Sequence, residues 1–457
     1  MRHASYLAAL GAATALLAGC AAPGIDDALQ QANAQAQAFT GGDLRIDRDA
    51  AARDRRSVRT RELLSQPLSR EGAVQLALAN SPSVQALVAQ SEADLATADQ
   101  AGRPRNPVFT FERMRLGNEL EIGRLLSFGL VDLLLWPQRA ALSRSQADLT
   151  RLRLTGAVVD QVTQVRQAWV RAVAAQQLQQ YAVQVQEAAE ASADLARRMQ
   201  AVGNFSRLQR LRQQVFYADA TTRLAEARQA ETAAREALVR VLGLDATQAA
   251  QLVLPARLPD LPKAPREATE VAALAATQRI DVQLARAQLD VAGRAQGLDL
   301  LPSLADVELG VRRDTVFDNA AGARGTRRGF ELDLRLPLFD DGGARRDALN
   351  AQSRAAAFRY DAVARDASSQ LREGYAAYRT AYDIARHQRD ELVPLRQAMA
   401  DENVLRYNGM LIGVFELLAE AREQVAGVSR AIEAQQQFWL ADAALESAVI
   451  GPPQPIQ

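Results

Sequence analysis

The sequence predicts a mainly α-helical protein with a small β part, in which long antiparallel coiled-coil helices form a barrel continuous with a membrane β-barrel. Residues 139–242 contain no proline and carry apolar side chains at coiled-coil spacing. Two segments alternate between apolar and polar residues, as barrel strands do. The whole order of elements occurs twice, which indicates an internal duplication.

The first long helical segment is predicted to turn back once. Apolar seams run along it: Val158, Val162, Val165, Trp169 and Ala172, then Leu178, Tyr181, Val185, Ala188, Ser192, Leu195, Met199 and Val202. Gly203 can adopt a positive φ and Ser206 can cap the next helix, so the turn is expected there. The arm from Pro137 to Gly203 would be roughly 100 Å long. A coiled-coil spacer is the alternative interpretation of this segment.

Composition argues against several function classes. The formal net charge is zero, so no nucleic-acid partner is expected. Lys263 is the one lysine and lies between prolines, which does not suit a phosphate-binding loop. His3, His387 and Cys20 cannot form a His/Cys metal cluster, although a carboxylate-only site stays open. With no catalytic constellation in view, we predict neither an enzyme nor a cofactor.

The N-terminus predicts export. Residues 1–19 have a short basic start and an apolar run, as in a signal peptide. The run ends at Leu17-Ala18-Gly19-Cys20, which resembles the lipobox of bacterial lipoproteins and makes Cys20 the expected lipid anchor. A plain cleavage site beside an incidental cysteine is the alternative. Residues 20–67 show no sustained period and are expected to be a lipid-anchored tether, extended or draped over the body.

Two repeats fill the rest of the chain. The first, 68–242, contains a helix with a break at Asn80-Ser81-Pro82, a strand pair at 106–131 and a long helical hairpin. A proline-rich linker, 243–267, leads to the second repeat, 268–450, with its strand pair at 303–338, and 451–457 form a tail. Corresponding landmarks recur about 200 residues later: Pro104 matches Pro302, Pro137 matches Pro337 and Gly203 matches Gly409. Pro394 should kink or locally unwind the second long arm.

The strand pairs suit a membrane barrel. In the second pair, Val307, Leu309 and Val311 alternate with polar residues, so one face is apolar and the other charged. The alternative is a solvent-exposed hairpin whose apolar face packs on the helices. Four strands cannot close a barrel, because the smallest closed membrane barrels have about eight, and open edges are not tolerated in lipid. Two or three chains must therefore share one barrel.

Four motifs carry a family resemblance. They are Ala77-Leu78-Ala79-Asn80-Ser81-Pro82, Val202-Gly203-Asn204-Phe205-Ser206-Arg207, Leu336-Pro337-Leu338-Phe339-Asp340-Asp341-Gly342-Gly343, and Arg406-Tyr407-Asn408 with Phe415-Glu416-Leu417-Leu418. Because these motifs occur in this order, residues 66–450 resemble the TolC-like outer-membrane efflux proteins, of the lipoprotein subtype. The resemblance implies a homotrimer whose four strands per chain complete the transmembrane β-barrel.

The resemblance also implies a function. The chain would be a passive exit duct in the outer membrane of a Gram-negative bacterium, anchored by lipid and projecting into the periplasm. Its partners would be outer-membrane lipid, a periplasmic adaptor (membrane fusion) protein and an inner-membrane pump, of the resistance-nodulation-division type. The alternative is a periplasmic coiled-coil scaffold lipoprotein without channel activity.

Two groups of functional residues are expected. The turns would form an adaptor-docking tip: Val202, Gly203, Asn204, Ser206, Arg207, Gly409, Met410, Leu411, Ile412 and Gly413. Met410 stands where the family usually has glycine. Tyr407 and Glu416 would form the gate, with Glu416 one and a half to two turns into the last helix. The alternatives are that the glycines only make the turns and that Glu416 is a solvated helix residue.

Overall fold

The computed structural model describes residues 24–41, 44–46, 48–299, 306–318, 320–335, 338–339 and 342–451. The predicted signal peptide, the lipid anchor Cys20, the first residues of the second strand pair, Leu336-Pro337, Asp340-Asp341 and most of the tail lie outside the described residues. Predictions about them stay predictions.

The first half of the chain alternates helices with one strand pair. Its elements are α1 (Ile25–Thr40), α2 (Ala50–Leu64), α3 (Arg70–Asn80), α4 (Pro82–Gly102), β1 (Val108–Leu116), β2 (Glu119–Gly129), α5 (Leu130–Ala201), α6 (Arg207–Leu242) and α7 (Ala246–Gln251).

The second half repeats this order. Its elements are α8 (Ala268–Gln278), α9 (Ile280–Asp299), β3 (Asp306–Asp318), β4 (Ala323–Arg335), α10 (Gly343–His387), a π-helical turn (Gln388–Leu392), α11 (Val393–Asn408) and α12 (Val414–Ile450). The described residues therefore confirm the predicted class, a mainly α-helical chain with four antiparallel strands and long helical hairpins.

Of the two forms expected for the segment before residue 68, extended or draped over the body, the extended form is wrong, because most of the described segment is helical. Asp49 caps α2 by accepting a hydrogen bond from the Ala52 amide at 2.6 Å. The side-chain amide of Asn33 in α1 forms two hydrogen bonds with the backbone of Leu44. Its Nδ2 donates to the Leu44 carbonyl at 3.0 Å, and its Oδ1 accepts from the Leu44 amide at 2.8 Å. Leu44 is buried. Helix α2 is rich in charged side chains and lacks an apolar period from which a helix can be predicted. Helix α1 does have such a period, in the buried residues Ile25, Ala28, Leu29 and Ala32, which the sequence analysis missed.

Helix α5 begins earlier than predicted, at Leu130, and contains Pro137. A proline inside a helix removes one backbone hydrogen bond. The first turns are stabilised here by side chains: Arg139 donates to the Asp132 carbonyl at 2.9 Å, and the Asp132 carboxylate pairs with Arg105 and Arg139 at 3.1 Å each. Charge contacts thus compensate for a residue that normally ends a helix.

The predicted effect of Pro394 is confirmed. The π-helical turn Gln388–Leu392 lies immediately before α11, and Pro394 occupies the start of that helix. Proline has no amide hydrogen, so the regular hydrogen-bond ladder cannot pass through it unchanged. Local unwinding of the second arm follows.

The chain divides into two compact units, each built from pieces of both repeats. One contains Gln90–Arg153 and Val282–Arg365, with the sheet; the other contains Leu29–Ala89, Leu154–Asp281 and the chain from Asp366 onward. Repeat and unit boundaries therefore differ, and the predicted domain boundaries stay a prediction. None of the helices, as far as they are described, has an apolar stretch long enough to cross a bilayer.

The sheet of the first unit has the strand order β1-β2-β3-β4, with every pair antiparallel. The β2–β3 pairing joins the two repeats, from Glu119 opposite Asp318 to Gly129 opposite Glu308. Both hairpin loops, at Gly117-Asn118 and around Gly322, lie at the same end of the sheet. The helices connect to the opposite end.

In the second unit, the break between α3 and α4 packs against the end of α6. Asn80 donates to the Gly243 carbonyl at 2.9 Å. A Cβ on Gly243 would lie 2.5 Å from Pro82 Cδ and 2.7 Å from Ser81 Cα, and its φ is +67°. Gly243 is therefore required by both its conformation and this close approach.

The core of the second unit also contains an ion network, which we define as Arg70, Arg166, Arg266, Asp442 and Glu446. Arg70 and Arg266 each lie 3.1 Å from Asp442, and Arg266 and Arg166 lie 2.5 and 2.7 Å from Glu446. The network joins α3, α5, the linker and α12. Nothing in the periodicity of the sequence predicted it.

The two carboxyl groups of the network respond differently to their surroundings. Burial, reinforced by the charge of Glu446, raises the pKa of Asp442. Burial would also raise the pKa of Glu446, but Arg166, Arg70 and Arg266 outweigh it and lower that pKa below its ordinary value. Glu446 is therefore the carboxylate whose ionised form stabilises the folded chain.

We predict that Glu446→Gln destabilises the protein at pH 7 by about 3 kcal/mol, because it leaves the buried guanidinium group of Arg166 without its carboxylate partner. Since the pKa of Glu446 is lowered by folding, its contribution is fully present above the unfolded pKa and is lost as pH falls through the folded pKa. The difference in melting temperature from wild type, measured by circular dichroism, should narrow as the pH falls below about 4.3. Glu402→Gln, at an exposed position of α11, is the control and should change little. An equal difference at pH 7 and pH 3 would contradict this role.

Candidate functional site: the two helical turns

The first turn, between α5 and α6, is a tight helix-ending motif. The Asn204 amide donates to the Met199 carbonyl at 2.9 Å and the Gly203 amide to the Gln200 carbonyl at 3.0 Å. Gly203 has a φ of +82°, the left-handed conformation of this motif. The predicted positive φ of Gly203 at this turn is confirmed.

Ser206 then starts α6 with a reciprocal cap. Its hydroxyl accepts from the Gln209 amide at 3.2 Å, and the Gln209 side chain accepts from the Ser206 amide at 2.7 Å. The cap predicted at Ser206 is therefore present. Phe205, beside it, is buried and anchors the turn.

The second turn, between α11 and α12, has the same hydrogen bonds but other residues. The Leu411 amide donates to the Arg406 carbonyl at 2.8 Å and the Met410 amide to the Tyr407 carbonyl at 2.9 Å. Met410 takes the left-handed position with a φ of +60°, while Gly409 has a φ of −77°. Among the described residues other than glycine, Met410 alone has a positive φ.

The two turns therefore align differently from the sequence expectation, which matched Gly203 with Gly409. By geometry, Met410 is the counterpart of Gly203, and buried Ile412 is the counterpart of Phe205. Gly413 replaces Ser206 at the cap and has no side chain to accept a hydrogen bond. The second turn lacks both residues that favour the motif.

The docking candidates differ in exposure. Val202, Met410 and Leu411 are 70%, 92% and 73% exposed, so their apolar side chains face solvent in this chain. Ile412 is 7% exposed and supports the turn instead. Asn204, Ser206, Arg207, Gly409 and Gly413 are also exposed.

The gate candidates lie on either side of the second turn. Glu416 is in the first turn of α12, nearer the helix start than expected, because α12 begins at Val414. Its side chain is exposed. Tyr407, in the last turn of α11, is 38% exposed. Within the described part of the chain, neither side chain forms a hydrogen bond or an ion pair.

A polar contact that the sequence analysis missed fixes α12 against the first hairpin. Arg422 donates to Gln213 Oε1 at 2.9 Å, and Gln213 also accepts from Ser192 at 3.1 Å. The Arg422 guanidinium lies 4.3 Å from the centre of the Phe216 ring. These side-chain contacts link α5, α6 and α12.

The predicted apolar seam of α5 is buried in its first part and lines an open groove farther along. Its first part, from Val158 to Ala172, is buried as expected. Farther along, Ala189, Ser192 and Ala196 are the buried residues. Leu178, Tyr181 and Val185 instead line an open groove of about 500 Å³ between α5, α6 and α12. That part of the predicted seam is therefore not closed within one chain.

The sheet has two chemically distinct faces, set by its register. On the polar face, Arg312 contacts Glu112 at 3.0 Å, Asp314 at 2.9 Å and Glu331 at 2.6 Å. On the apolar face, Phe109 of β1, Leu126 of β2, Val311 of β3 and Phe330 of β4 stand side by side. These four residues are all exposed.

The described side chains contain no group of three His, Cys, Asp or Glu residues placed to hold a metal ion. Three carboxylates of the polar face, those of Glu112, Asp314 and Glu331, share Arg312 as a counter-charge.

Comparison with known proteins identifies the fold. No protein-family model and no curated protein matches the chain. Solved structures that match it include CusC, a transmembrane channel (16% identity, 86% of this chain and 92% of that chain, TM-score 0.68). They also include the outer membrane protein VceC of Vibrio cholerae, with 14% identity over 84% of this chain and 96% of that chain and a TM-score of 0.68. The outer membrane channel CmeC of Campylobacter jejuni matches with 12% identity over 86% of this chain and 85% of that chain and a TM-score of 0.69.

At these identities the similarity establishes a shared fold. The chain has the fold of outer-membrane channels, with long helical hairpins and a four-stranded antiparallel sheet. The resemblance found in the sequence is confirmed at that level.

We predict opposite effects of exchanging the residues at the two left-handed positions. Met410→Gly should stabilise the protein by about 1 kcal/mol, because a residue with a Cβ is strained there. Gly203→Met should destabilise it by a similar amount for the same reason, and a Cβ on Gly203 would have no atom within 4 Å to clash with. Thermal unfolding followed by circular dichroism measures both. Shifts of the same sign in the two variants would contradict the assignment.

Proposed function

We propose that this chain is one subunit of a homotrimeric, passive exit duct in the outer membrane, serving a tripartite efflux system. The observation that carries the proposal is the four-stranded sheet with an exposed apolar face and a charged face. The matched structures are channels, which supports a transport role over a catalytic one.

The sheet supports assembly because its outer strands have free edges. Among the residues that the structure describes, β1 pairs only with β2, and β4 only with β3. In lipid, unpaired backbone groups at such edges cost several kcal/mol each, so further copies of the chain must pair with them. Three copies would give twelve strands, enough to close a barrel. The apolar face would then contact lipid and the polar face the aqueous lumen.

The partners follow from the direction of transport. Since nothing in the sequence indicates energy coupling, an inner-membrane pump must drive export, and we infer one of the resistance-nodulation-division type reached through a periplasmic adaptor protein. The two turns would dock the adaptor through exposed backbone and the apolar side chains of Val202, Met410 and Leu411. Cys20 would carry the lipid that anchors the chain in the outer membrane.

The gate would form where the second turns of three subunits approach each other. Glu416 is exposed and has no counter-charge among the described residues of its own chain, so three copies could form an acidic ring. Such a ring attracts cations and could bind a divalent ion that holds the aperture closed. Tyr407, with its hydroxyl free in the described chain, could donate to a neighbouring subunit.

Conductance tests the duct and its gate together. We expect the purified protein to run as a detergent-resistant, heat-modifiable trimer and to conduct ions across planar bilayers. Glu416→Gln should lower cation selectivity and block by divalent ions, and Tyr407→Phe should raise conductance. Exposed Glu402→Gln is the matched control and should leave the traces unchanged. A monomer that stays soluble without detergent would instead favour the scaffold lipoprotein.

Docking is tested at the first turn. Gly203→Glu should abolish export in cells, because a bulky charge would occupy the exposed backbone that the adaptor contacts. Because the same change also strains a left-handed residue, Gly203→Met separates the two effects: it adds the strain without the charge and should reduce export less. Trimer formation and conductance should persist in both variants. Normal export by Gly203→Glu would remove this turn from the docking surface.

A further inference from the structure

The apolar face of the sheet changes character toward the hairpin loops. Its rows nearest the helices are apolar, whereas its rows nearest the loops contain arginine. We call these arginines the arginine belt: Arg113, Arg115, Arg124, Arg313, Arg324 and Arg328. Arg124 is partly exposed and the other five are exposed.

Register places three belt residues in one row across three neighbouring strands. Arg313 is directly opposite Arg328. Arg124 lies beside Arg313, since the pairs Ile122–Thr315 and Leu125–Arg312 fix the register on both sides of it. Like charges directly opposite each other in a sheet repel. A negatively charged group beside this row would therefore relieve the repulsion between its guanidinium groups.

The sheet does not supply that charge on the same face. At the described strand positions of the apolar face there is no aspartate or glutamate. Arg124 donates to the Thr315 hydroxyl at 3.2 Å, and Arg324 lies 5.2 Å from the centre of the Phe317 ring. Neither contact neutralises a guanidinium group.

The carboxylates of the strands lie on the polar face, behind the backbone. Three of them surround Arg312, and Glu121 lies 3.5 Å from Arg327. Charge is thus separated across the sheet, with cations on one face and mainly anions on the other. The belt is left to interact with something outside the chain.

The position of the belt indicates what that partner is. The apolar surface extends from the strand rows past their helical ends, where Leu133, Leu134 and Phe339 are exposed. The belt lies beyond the apolar rows on the loop side, six residues or about 20 Å of strand from Val307 to Arg313. An apolar band bordered by cations matches a lipid layer bordered by anionic headgroups.

We propose that the arginine belt binds the phosphate groups of anionic lipids in the membrane leaflet farther from the helices. The proposal rests on the proposed function, because the apolar face must be turned toward lipid. Guanidinium groups suit this role, since each can donate two parallel hydrogen bonds to a phosphate group. A row of three could hold neighbouring phosphates and remove the repulsion between the strands.

The test compares lipid binding by the detergent-solubilised trimer and by the variant Arg124→Gln/Arg313→Gln/Arg328→Gln. The probes are a diphosphorylated lipid A and the same lipid after removal of its phosphates, with affinity measured by native mass spectrometry. Wild type should prefer the phosphorylated lipid, and the variant should bind it at least about tenfold more weakly. Equal affinity of wild type and variant would overturn the proposal.

Two controls separate the belt from general charge and from free phosphate. Arg53→Gln/Arg55→Gln/Arg61→Gln removes the same charge from exposed positions of α2 and should bind the lipid as wild type does. Millimolar inorganic phosphate should not displace the lipid; efficient displacement would mean a free-anion site and overturn the lipid assignment.

Folding and function are followed independently. Without lipid, the belt variant should melt at the wild-type temperature or above it, since repulsion within the row is relieved, and it should lose the rise in melting temperature that lipid causes. If lipid raised the melting temperature of the belt variant as much as that of the wild type, the result would contradict lipid binding by the arginine belt. Failure of the proposed duct would appear separately, as absent conductance in wild type whatever lipid binds.

Discussion

The unpaired edges of the four-stranded sheet are the constraint on which the interpretation of this protein depends. Backbone amides and carbonyls at a free edge need partners, and in lipid neither water nor side chains can supply enough of them. Within the described residues, a single chain has two such edges, one at β1 and one at β4. We propose other copies of the same chain as these partners, because the second half of the chain already supplies β3 as the partner of β2 from the first half.

A second constraint acts in the helical part. Glu446 and Asp442 of α12 are buried among three arginines that come from α3, α5 and the linker. Buried ion pairs contribute little net stability, but breaking one is costly. We therefore regard the network as fixing which segments meet, while the apolar residues of α5 supply the burial. Near the turns, the contact of Arg422 with Gln213 has a similar effect.

Much of the fold could be predicted because its signals are local. Glycine at a positive φ, serine at a helix cap and proline just after a π-helical turn each act within a few residues, as Gly203, Ser206 and Pro394 show. The predicted start of α5 was wrong because charge contacts of Asp132 tolerate Pro137 within the helix. The second turn was misaligned because Met410 adopts a conformation that sequence rules assign to glycine.

The candidate sites were harder to predict, because they depend on contacts between distant parts of the chain. The ion network joins Arg70 to Asp442, and no periodicity relates these positions. The arginine belt becomes visible only when the register aligns Arg313 with Arg328. The docking tip and the gate were placed by resemblance, and the structure gives their geometry without testing their roles.

The central claim, that the apolar face of the sheet lies in lipid, is tested most directly by single cysteines along β4. Variants would carry cysteine at each position from Phe330 to Leu334 in the membrane-embedded protein, with the unmodified chain measuring any labelling of Cys20. We predict strict alternation: a water-soluble maleimide labels positions 331 and 333, and a lipid-soluble one labels 330, 332 and 334. Uniform labelling of all five positions by the water-soluble reagent would contradict the account.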